Sequence, residues 1–119
     1  MSLVLHGKNR TLTVHIDGEL DLVSAQQFRE TVDRALEEMV GLNLIVDLAK
    51  VTFIDSSGLG VILGRYRMIK AKNGEMVLCG LNKNVRRVLE ISGLLSFIII
   101  CETEKDAWKI IEDRAFKGA

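Results

Sequence analysis

The amino-acid sequence predicts an α/β fold with a mixed, mostly parallel sheet, an N-terminal β-hairpin and about four helices. Near the N-terminus, two apolar segments flank a run of turn-forming residues, as in a hairpin. Further along the chain, strand-like apolar runs alternate with amphipathic helical segments. Such alternation is typical of parallel strands connected by right-handed helical crossovers. The length of 119 residues fits a single domain, since most soluble domains contain about 100–150 residues.

The hairpin prediction rests on residues 3–6 and 12–16, which are mostly apolar or alternate in polarity. Between them, residues 7–10 read Gly-Lys-Asn-Arg and supply the turn formers that a short hairpin loop needs. The next segment, residues 17–21, reads Asp-Gly-Glu-Leu-Asp, and we expect it to form an acidic loop.

The first helix is predicted from a capping signature followed by apolar residues at helical spacing. Ser24 and Gln27 have the spacing of a capping box at a helix N-terminus. Gly41 stands where the helix would end, because glycine is favoured just after the last turn. The residues expected on the buried face are Phe28, Val32, Ala35, Leu36 and Met39.

The middle of the chain contains the clearest prediction of a central strand. Residues 42–48 and 51–54 are rich in β-branched residues and almost continuously apolar, which is typical of a strand buried on both faces. A second helix is expected after the turn at residues 55–58 and should end at residues 73–74, Asn-Gly. Its predicted buried stripe consists of Leu59, Ile62, Leu63, Tyr66 and Ile69.

The C-terminal third repeats the alternation of strand and helix. Residues 75–79 are predicted to form a strand, and Asn84 is expected to cap a short helix that ends at Gly93. Residues 97–101 form the longest uninterrupted apolar run and are predicted to be the last buried strand. Thr103 then has the position of an N-cap for a C-terminal helix.

Composition excludes several classes of partner. The chain carries 16 Lys and Arg against 16 Asp and Glu, so its formal net charge is zero. Nucleic acids and anionic membranes attract proteins with a surplus of positive charge, so neither is an expected partner. The longest apolar run is far shorter than the roughly 20 residues that span a bilayer, and the N-terminus lacks the layout of a signal peptide. We therefore expect a cytoplasmic protein.

The cysteines and histidines are predicted to be structural. Cys79 and Cys101 lie within strand-like apolar runs, where free cysteine usually behaves as a small buried hydrophobic residue, and no disulfide is expected. Together with His6 and His15 they lack the short paired spacing of zinc ligands. The sequence therefore predicts neither a metal nor a cofactor.

A pair of serines at the start of the second helix is the most informative feature. Ser56 and Ser57 follow a buried strand, so their hydroxyls should lie beside the unpaired backbone N–H groups of the helix N-terminus. Helix capping is the simpler interpretation of an Asp-Ser-Ser turn. Because parallel strands open at the same edge of a sheet, Asp21 and Ser56 should be neighbours. Asp21 on its own would also fit a solvated turn.

The second helix also has an unusual outer face. Two glycines inside a helix each cost about 1 kcal/mol relative to alanine, and apolar residues beside them would gain nothing from contact with water. Either another element of the fold covers this face, or a partner docks there. From the residues alone, both explanations stay open. The face consists of Ser57, Gly60, Val61, Gly64 and Met68.

A nucleotide-binding domain is the alternative from a different functional class. The spacing of Gly58 and Gly60 after a strand resembles part of a dinucleotide fingerprint. However, residues 78–81 contain no acidic residue to bind a ribose, and no P-loop lysine follows the glycines. A serine hydrolase is also disfavoured, because the only histidines lie in the hairpin and Ser56 is not in a Gly-x-Ser-x-Gly elbow.

Three motifs resemble the anti-sigma factor antagonists of the STAS domain family. They are Gly-Glu-Leu-Asp at residues 18–21, Asp-Ser-Ser-Gly-Leu-Gly at 55–60 and Ser-Gly-Leu at 92–94, and they are most similar to the sporulation members. The resemblance covers essentially the whole chain and implies a single STAS domain over residues 1–119. It implies a binding protein without enzymatic activity. Such a protein captures an anti-sigma factor, itself a serine kinase, and so frees a sigma factor.

The resemblance also implies a regulatory site. In this family the first serine of the motif is phosphorylated by the anti-sigma kinase and dephosphorylated by a PP2C-type phosphatase. That serine corresponds to Ser56. A STAS scaffold subunit of a stress-signalling complex is a further alternative with the same fold. The implied partner-binding residues are Asp21, Ser57, Gly58, Leu59 and Gly60.

Overall fold

A computed structural model of the chain describes residues 1–38 and 42–118. It contains a five-stranded sheet whose strands lie side by side in sequence order. The first two strands are antiparallel, and every later neighbouring pair is parallel, which confirms the predicted fold class. The strands are β1 (Ser2–Lys8), β2 (Thr11–Leu20), β3 (Asn43–Ile54), β4 (Met76–Cys79) and β5 (Ile99–Cys101). The helices are α1 (Leu22–Glu38), α2 (Ser56–Ala71), α3 (Lys83–Ser92) and α4 (Glu104–Gly118).

The two faces of the sheet carry cores of different size. Helices α1, α2 and α3 contribute to the larger core, which includes the fully buried side chains of Phe28, Ile62 and Leu89. Helix α4 packs on the other face, where Ala107 and Ile111 contact a smaller cluster that contains residues of β3 and β4. No helix in the described parts of the chain is both long and apolar enough to cross a membrane.

The predicted acidic loop at residues 17–21 is wrong, because β2 continues through most of it. Gly18 pairs with Val51 and Leu20 pairs with Ile54, so the strand reaches the end of β3. Leu20 is fully buried, and its burial favours the extended pairing over a solvated loop. The register shifts between His15 and Asp17 and again between Gly18 and Glu19. Gly18 has a φ of 114°, a conformation that favours glycine, and so accommodates the second irregularity.

The predicted N-terminus of the first helix lies too late in the chain. Asp21 caps α1, because its Oδ1 accepts hydrogen bonds from the backbone N–H groups of Val23 and Ser24, both at 3.0 Å. Ser24 Oγ in turn accepts from the Asp21 backbone N–H at 2.9 Å. Asp21 and Ser24 therefore form a reciprocal capping pair, in which the side chain of each residue accepts from the backbone N–H of the other. Ser24 lies inside the first turn of the helix and is not its N-cap. The predictions for Met39 and Gly41 lie outside the described residues.

Helix α3 is capped by Asn82 and not by the predicted Asn84. Asn82 Oδ1 accepts from the Val85 backbone N–H at 2.9 Å, and its side-chain amide donates to the Val51 carbonyl at 2.9 Å. The second bond anchors the helix start to β3, an interaction that local sequence spacing does not reveal. Gly93 ends the helix in the left-handed conformation with φ 83°, as predicted. The predicted N-cap of the last helix is also confirmed, since Thr103 Oγ1 accepts from the Asp106 backbone N–H.

The last strand is shorter and more exposed than predicted. Residues Leu94–Ser96 form a single 3₁₀ turn, and the Phe97 backbone N–H closes it by donating to the Leu94 carbonyl. Phe97 is consequently outside β5, and its ring contacts the ring of Tyr66 with centroids 5.2 Å apart. Because β5 is an edge strand, all of its residues, including Cys101, are only half-buried. Of the two cysteines predicted to be buried, Cys79 on β4 is buried and Cys101 is not.

Candidate functional site

The C-terminal ends of β2 and β3 bring the two acidic motifs together. Leu20 and Ile54 are partners in the parallel register, so the residues that follow them leave the sheet side by side. The Asp55 backbone N–H donates to the Leu20 carbonyl at 3.3 Å and fixes this arrangement. The turn that contains Ser56 therefore lies beside Asp21 and the start of α1, as predicted from the direction of the strands.

Asp55 caps both helices that begin at this edge. Its Oδ1 accepts from the backbone N–H groups of Ser57 and Gly58, at 2.9 and 3.0 Å, and so caps α2. Its Oδ2 accepts from the Leu22 backbone N–H at 3.2 Å and so holds the first residue of α1. The predicted capping by the Asp-Ser-Ser turn is confirmed for Asp55, and neither serine side chain makes these bonds. The exposed Ser56 hydroxyl takes no part in the cap.

The electrostatic environment of Ser56 combines a helix terminus with two carboxylates. The N-terminus of a helix carries a partial positive charge, and Ser56 is the first residue of α2. Hydrogen bonds hold the pKa of Asp21 below its usual value, chiefly the bond from the Ser24 backbone N–H. Asp21 is therefore ionised at neutral pH. A hydroxyl at this position can accept a negatively charged group without disturbing the cap.

Gly58 has a different environment from Gly60, two positions further along α2. A Cβ at position 58 would lie 2.3 Å from the Leu20 carbonyl oxygen, which no side chain tolerates. Glycine at this position allows the start of α2 to approach β2 closely. Its neighbour Leu59 is half-buried and packs against the larger core. Two of the five predicted partner-binding residues thus also have packing roles.

The outer face of α2 is divided between the fold and the solvent. Val61 is buried in the larger core, which confirms internal covering for that residue. Gly60 and Gly64 differ, because a Cβ at either position would meet no atom within 4 Å from other described parts of the chain. The predicted buried stripe is confirmed for Ile62 and Ile69. Its other members, Leu59, Leu63 and Tyr66, are only half-buried, and the prediction omitted the buried Val61 and Arg65.

Arg65 is the buried charge that sequence reasoning missed. Its side chain is only 8% exposed and its Nε lies 3.0 Å from Asp33 Oδ1 on α1. Burial lowers the pKa of Arg65, and the charge of Asp33 opposes that effect. The two residues lie on different helices, so no local spacing in the sequence indicates the pair.

An open groove of about 510 Å³ separates the exposed parts of α1 and α2. Ser57, Gly60 and Gly64 line it from α2, and Leu22 and Arg29 are among its residues from α1. Leu22 is 75% exposed at the end of the groove, and the adjacent Val23 is 88% exposed. Sequence reasoning did not assign this apolar pair to the site, although two apolar residues directly after a helix cap are a visible signal. The groove therefore combines bare helix backbone with exposed apolar side chains.

A family model described as the STAS domain matches residues 2–107. The chain belongs to the STAS domain family. The anti-sigma F factor antagonist of Paenibacillus polymyxa is 40% identical over 101 residues, which cover 85% of this chain and 86% of that protein. The expected family is thereby confirmed.

Solved structures support the same assignment of this STAS domain. Unphosphorylated SpoIIAA, an anti-sigma factor antagonist, matches with a TM-score of 0.82 and 29% identity over 94% of this chain and 97% of that one. The phosphorylated form of SpoIIAA, a Bacillus cell fate determinant, matches with a TM-score of 0.73 and 28% identity over 92% of this chain and 99% of that one. The fold is therefore shared with a protein that has been determined in both states.

Proposed function

We propose that this STAS domain, residues 1–119, is an anti-sigma factor antagonist. In its unphosphorylated form it binds an anti-sigma factor serine kinase in the cytoplasm, and the sigma factor held by that kinase is released. The observation that carries the proposal is the exposed Ser56, which starts α2 beside the capping carboxylates of Asp21 and Asp55 while its own hydroxyl takes no part in either cap. The relatedness to an anti-sigma F factor antagonist supports the same role.

The proposed docking surface surrounds this serine. It comprises Asp21, Ser57, Leu59 and Gly60, with Gly58 beneath them as the residue that lets the turn pack on β2. The open groove between α1 and α2 extends the surface away from Ser56. Glycine at position 60 lets a partner approach the helix backbone directly. The kinase would therefore contact the residue that it modifies and the groove beside it.

The proposed switch consists of one phosphoryl transfer. The kinase transfers the γ-phosphoryl group of ATP to Ser56 Oγ and the hydroxyl proton is lost, which leaves ADP and a phosphoserine. A PP2C-type phosphatase restores the hydroxyl by hydrolysis and releases inorganic phosphate. This chain is the substrate and the ligand in both reactions and performs no catalysis itself.

The phosphate acts on binding and leaves the fold intact. It adds a charge of about −1.5 to −2 at neutral pH. A helix N-terminus stabilises such a charge by about 0.3–1 kcal/mol at an exposed position. In the complex, the same charge must be desolvated close to the carboxylates of Asp21 and Asp55. If this weakens binding by about 3 kcal/mol, the affinity falls more than a hundredfold, which is enough for a switch.

The proposal is tested by incubating the protein with its cognate anti-sigma kinase and ATP. We expect one phosphate per chain, located at Ser56 by fragmentation mass spectrometry, and none on Ser56→Ala. The matched control is Ser96→Ala, an exposed serine outside the docking surface, which should still be modified at Ser56.

Two results would contradict this assignment. A phosphate elsewhere in the chain, or one that persists on Ser56→Ala, excludes Ser56 as the acceptor. Stable binding of a partner kinase without any phosphorylation would instead indicate a scaffold subunit.

A further inference from the structure

A second group of polar side chains lies on the side of the sheet that carries α4. His15 on β2 and Asp47 on β3 are partners in the parallel register, so their side chains emerge next to each other. Glu104, the first residue of α4, completes the group. The three residues are far apart in the sequence, so their spacing gave no sign of a shared site. They lie away from the edge that carries Ser56.

The carboxylates of Asp47 and Glu104 both lie close to the Nε2 atom of His15. His15 Nε2 contacts Glu104 Oε1 and lies 3.6 Å from Asp47 Oδ2. One potential ligand atom from each residue lies within 4.8 Å of the other two. All three side chains are partly shielded from water, and Glu104 Oε1 is fully shielded without a well-aligned hydrogen bond from the described residues. The geometry therefore concentrates two carboxylates around one imidazole.

The charge of this group favours a divalent cation. With a neutral imidazole, the two carboxylates give a formal charge of −2, which one divalent ion neutralises. Imidazole nitrogen and carboxylate oxygen are ligands that suit Zn²⁺ and Mn²⁺. We propose that His15, Asp47 and Glu104 bind a divalent transition-metal ion. This site would tie the first turn of α4 to β2 and β3 and would give His15 a role beyond the structural one predicted from the sequence.

Space for the remaining ligands lies beside the group. A cavity of about 300 Å³ is lined by His15 and Asp47, together with the oppositely charged Asp17 and Lys50. Since a water molecule occupies about 30 Å³ in the liquid, the cavity admits the waters that would complete the coordination of the ion. An open position of this kind is typical of sites that exchange a bound water. The proposed occupant of the site and the adjoining cavity is therefore the metal ion with its bound waters.

The proposal is tested by titrating the metal-free protein with Mn²⁺ and following the free ion by electron paramagnetic resonance. Mn²⁺ is the probe of choice because it prefers oxygen and nitrogen ligands over thiols. We expect one ion per chain, and His15→Ala should weaken the affinity by at least about tenfold. The matched control is His6→Ala, an exposed histidine on β1, which should bind as the wild type does.

A second measurement separates loss of the site from loss of the fold. Mn²⁺ should raise the melting temperature of the wild type, since a ligand that binds the folded state stabilises it. It should leave the melting temperature of Glu104→Gln unchanged, and circular dichroism should match the wild type. The proposal is overturned if the wild type leaves the Mn²⁺ signal unaltered at millimolar concentrations. It is also overturned if His15→Ala binds Mn²⁺ as tightly as the wild type does, and the three residues then contact one another without holding an ion.

Discussion

At the scale of single residues, two glycines separated by one position serve opposite purposes. A side chain at Gly58 would collide with the Leu20 carbonyl oxygen, whereas one at Gly60 would extend into open space. Both glycines lie in the first two turns of the same helix, and helical periodicity places Gly60, but not Gly58, on the outer face. The difference arises because Gly58 faces β2 and Gly60 faces the groove between α1 and α2. One glycine therefore serves the fold, and the other is available to a partner.

This difference predicts contrasting effects of substitution at the two positions. Gly60→Asp should abolish binding of the proposed anti-sigma kinase, because a charged side chain would fill the proposed docking surface. Its far-UV circular dichroism and melting temperature should stay close to those of the wild type. Gly58→Ala should lower the free energy of unfolding by about 1–3 kcal/mol, in the range of overpacking substitutions. Pull-down with the kinase and urea denaturation measure the two effects.

The outcome for Gly60→Asp is decisive. An unfolded variant would mean that this face of α2 is packed internally after all. A folded variant that binds the kinase as tightly as the wild type would remove Gly60 from the docking surface.

At the scale of secondary-structure elements, α1 and α2 share one capping carboxylate. Asp55 accepts backbone hydrogen bonds from Ser57 and Gly58 with one oxygen and from Leu22 with the other. The carboxylate can reach both helices because β2 and β3 end at the same level of the sheet. The relative position of the two helix N-termini, and hence the shape of the groove, depends on this residue.

Asp55→Ala should therefore cost more than the loss of an ordinary helix cap. Removing an N-cap costs about 0.5–2 kcal/mol, and here the Leu22 N–H loses its acceptor as well. We expect a loss of about 2 kcal/mol in the free energy of unfolding, measured by urea denaturation. Asp55→Asn keeps an acceptor oxygen for α2 and should lose less than half as much. Equal stability of Asp55→Ala and the wild type would show that the shared cap contributes nothing.

The elements that the sequence predicts well are those with a local signal. The hairpin, the central strand and the core of each helix follow from periodicity and turn residues. The errors lie where a distant partner decides the outcome. Leu20 joins a strand because Ile54 lies beside it, and Asn82 replaces Asn84 as a cap because Val51 offers a carbonyl. In the site, Ser56 and Asp21 were found from motifs, whereas the exposed Leu22 needed the structure.

At the scale of the whole molecule, β4 forms part of the centre of the protein. It lies between β3 and β5, and its four residues are all buried. Burial raises the pKa of the Cys79 thiol from 9.0 to about 12, with the nearby charge of Asp47 adding to the effect. The folded protein therefore keeps this thiol protonated well above neutral pH. Cys79 becomes accessible only when the sheet itself opens.

Cys79 should consequently report global unfolding. In Cys101→Ser, where Cys79 is the only thiol, a thiol reagent should label the native protein only as fast as the fold opens. The unfolded thiol loses its proton first as pH rises, so the contribution of Cys79 to stability is intact below pH 9 and falls between pH 9 and about 12. Labelling with and without urea, monitored by absorbance, measures this protection. Rapid labelling of the native variant would mean that β4 opens locally.

The open helix face has a consequence for how the selectivity of the domain can be redesigned. At Gly60 and Gly64 the groove offers backbone instead of side chains, so every substitution at either position adds atoms to the groove. At its margin, Leu22 and Val23 already present exposed side chains. Exchanging these two residues therefore alters the surface that a partner meets while the groove itself stays open.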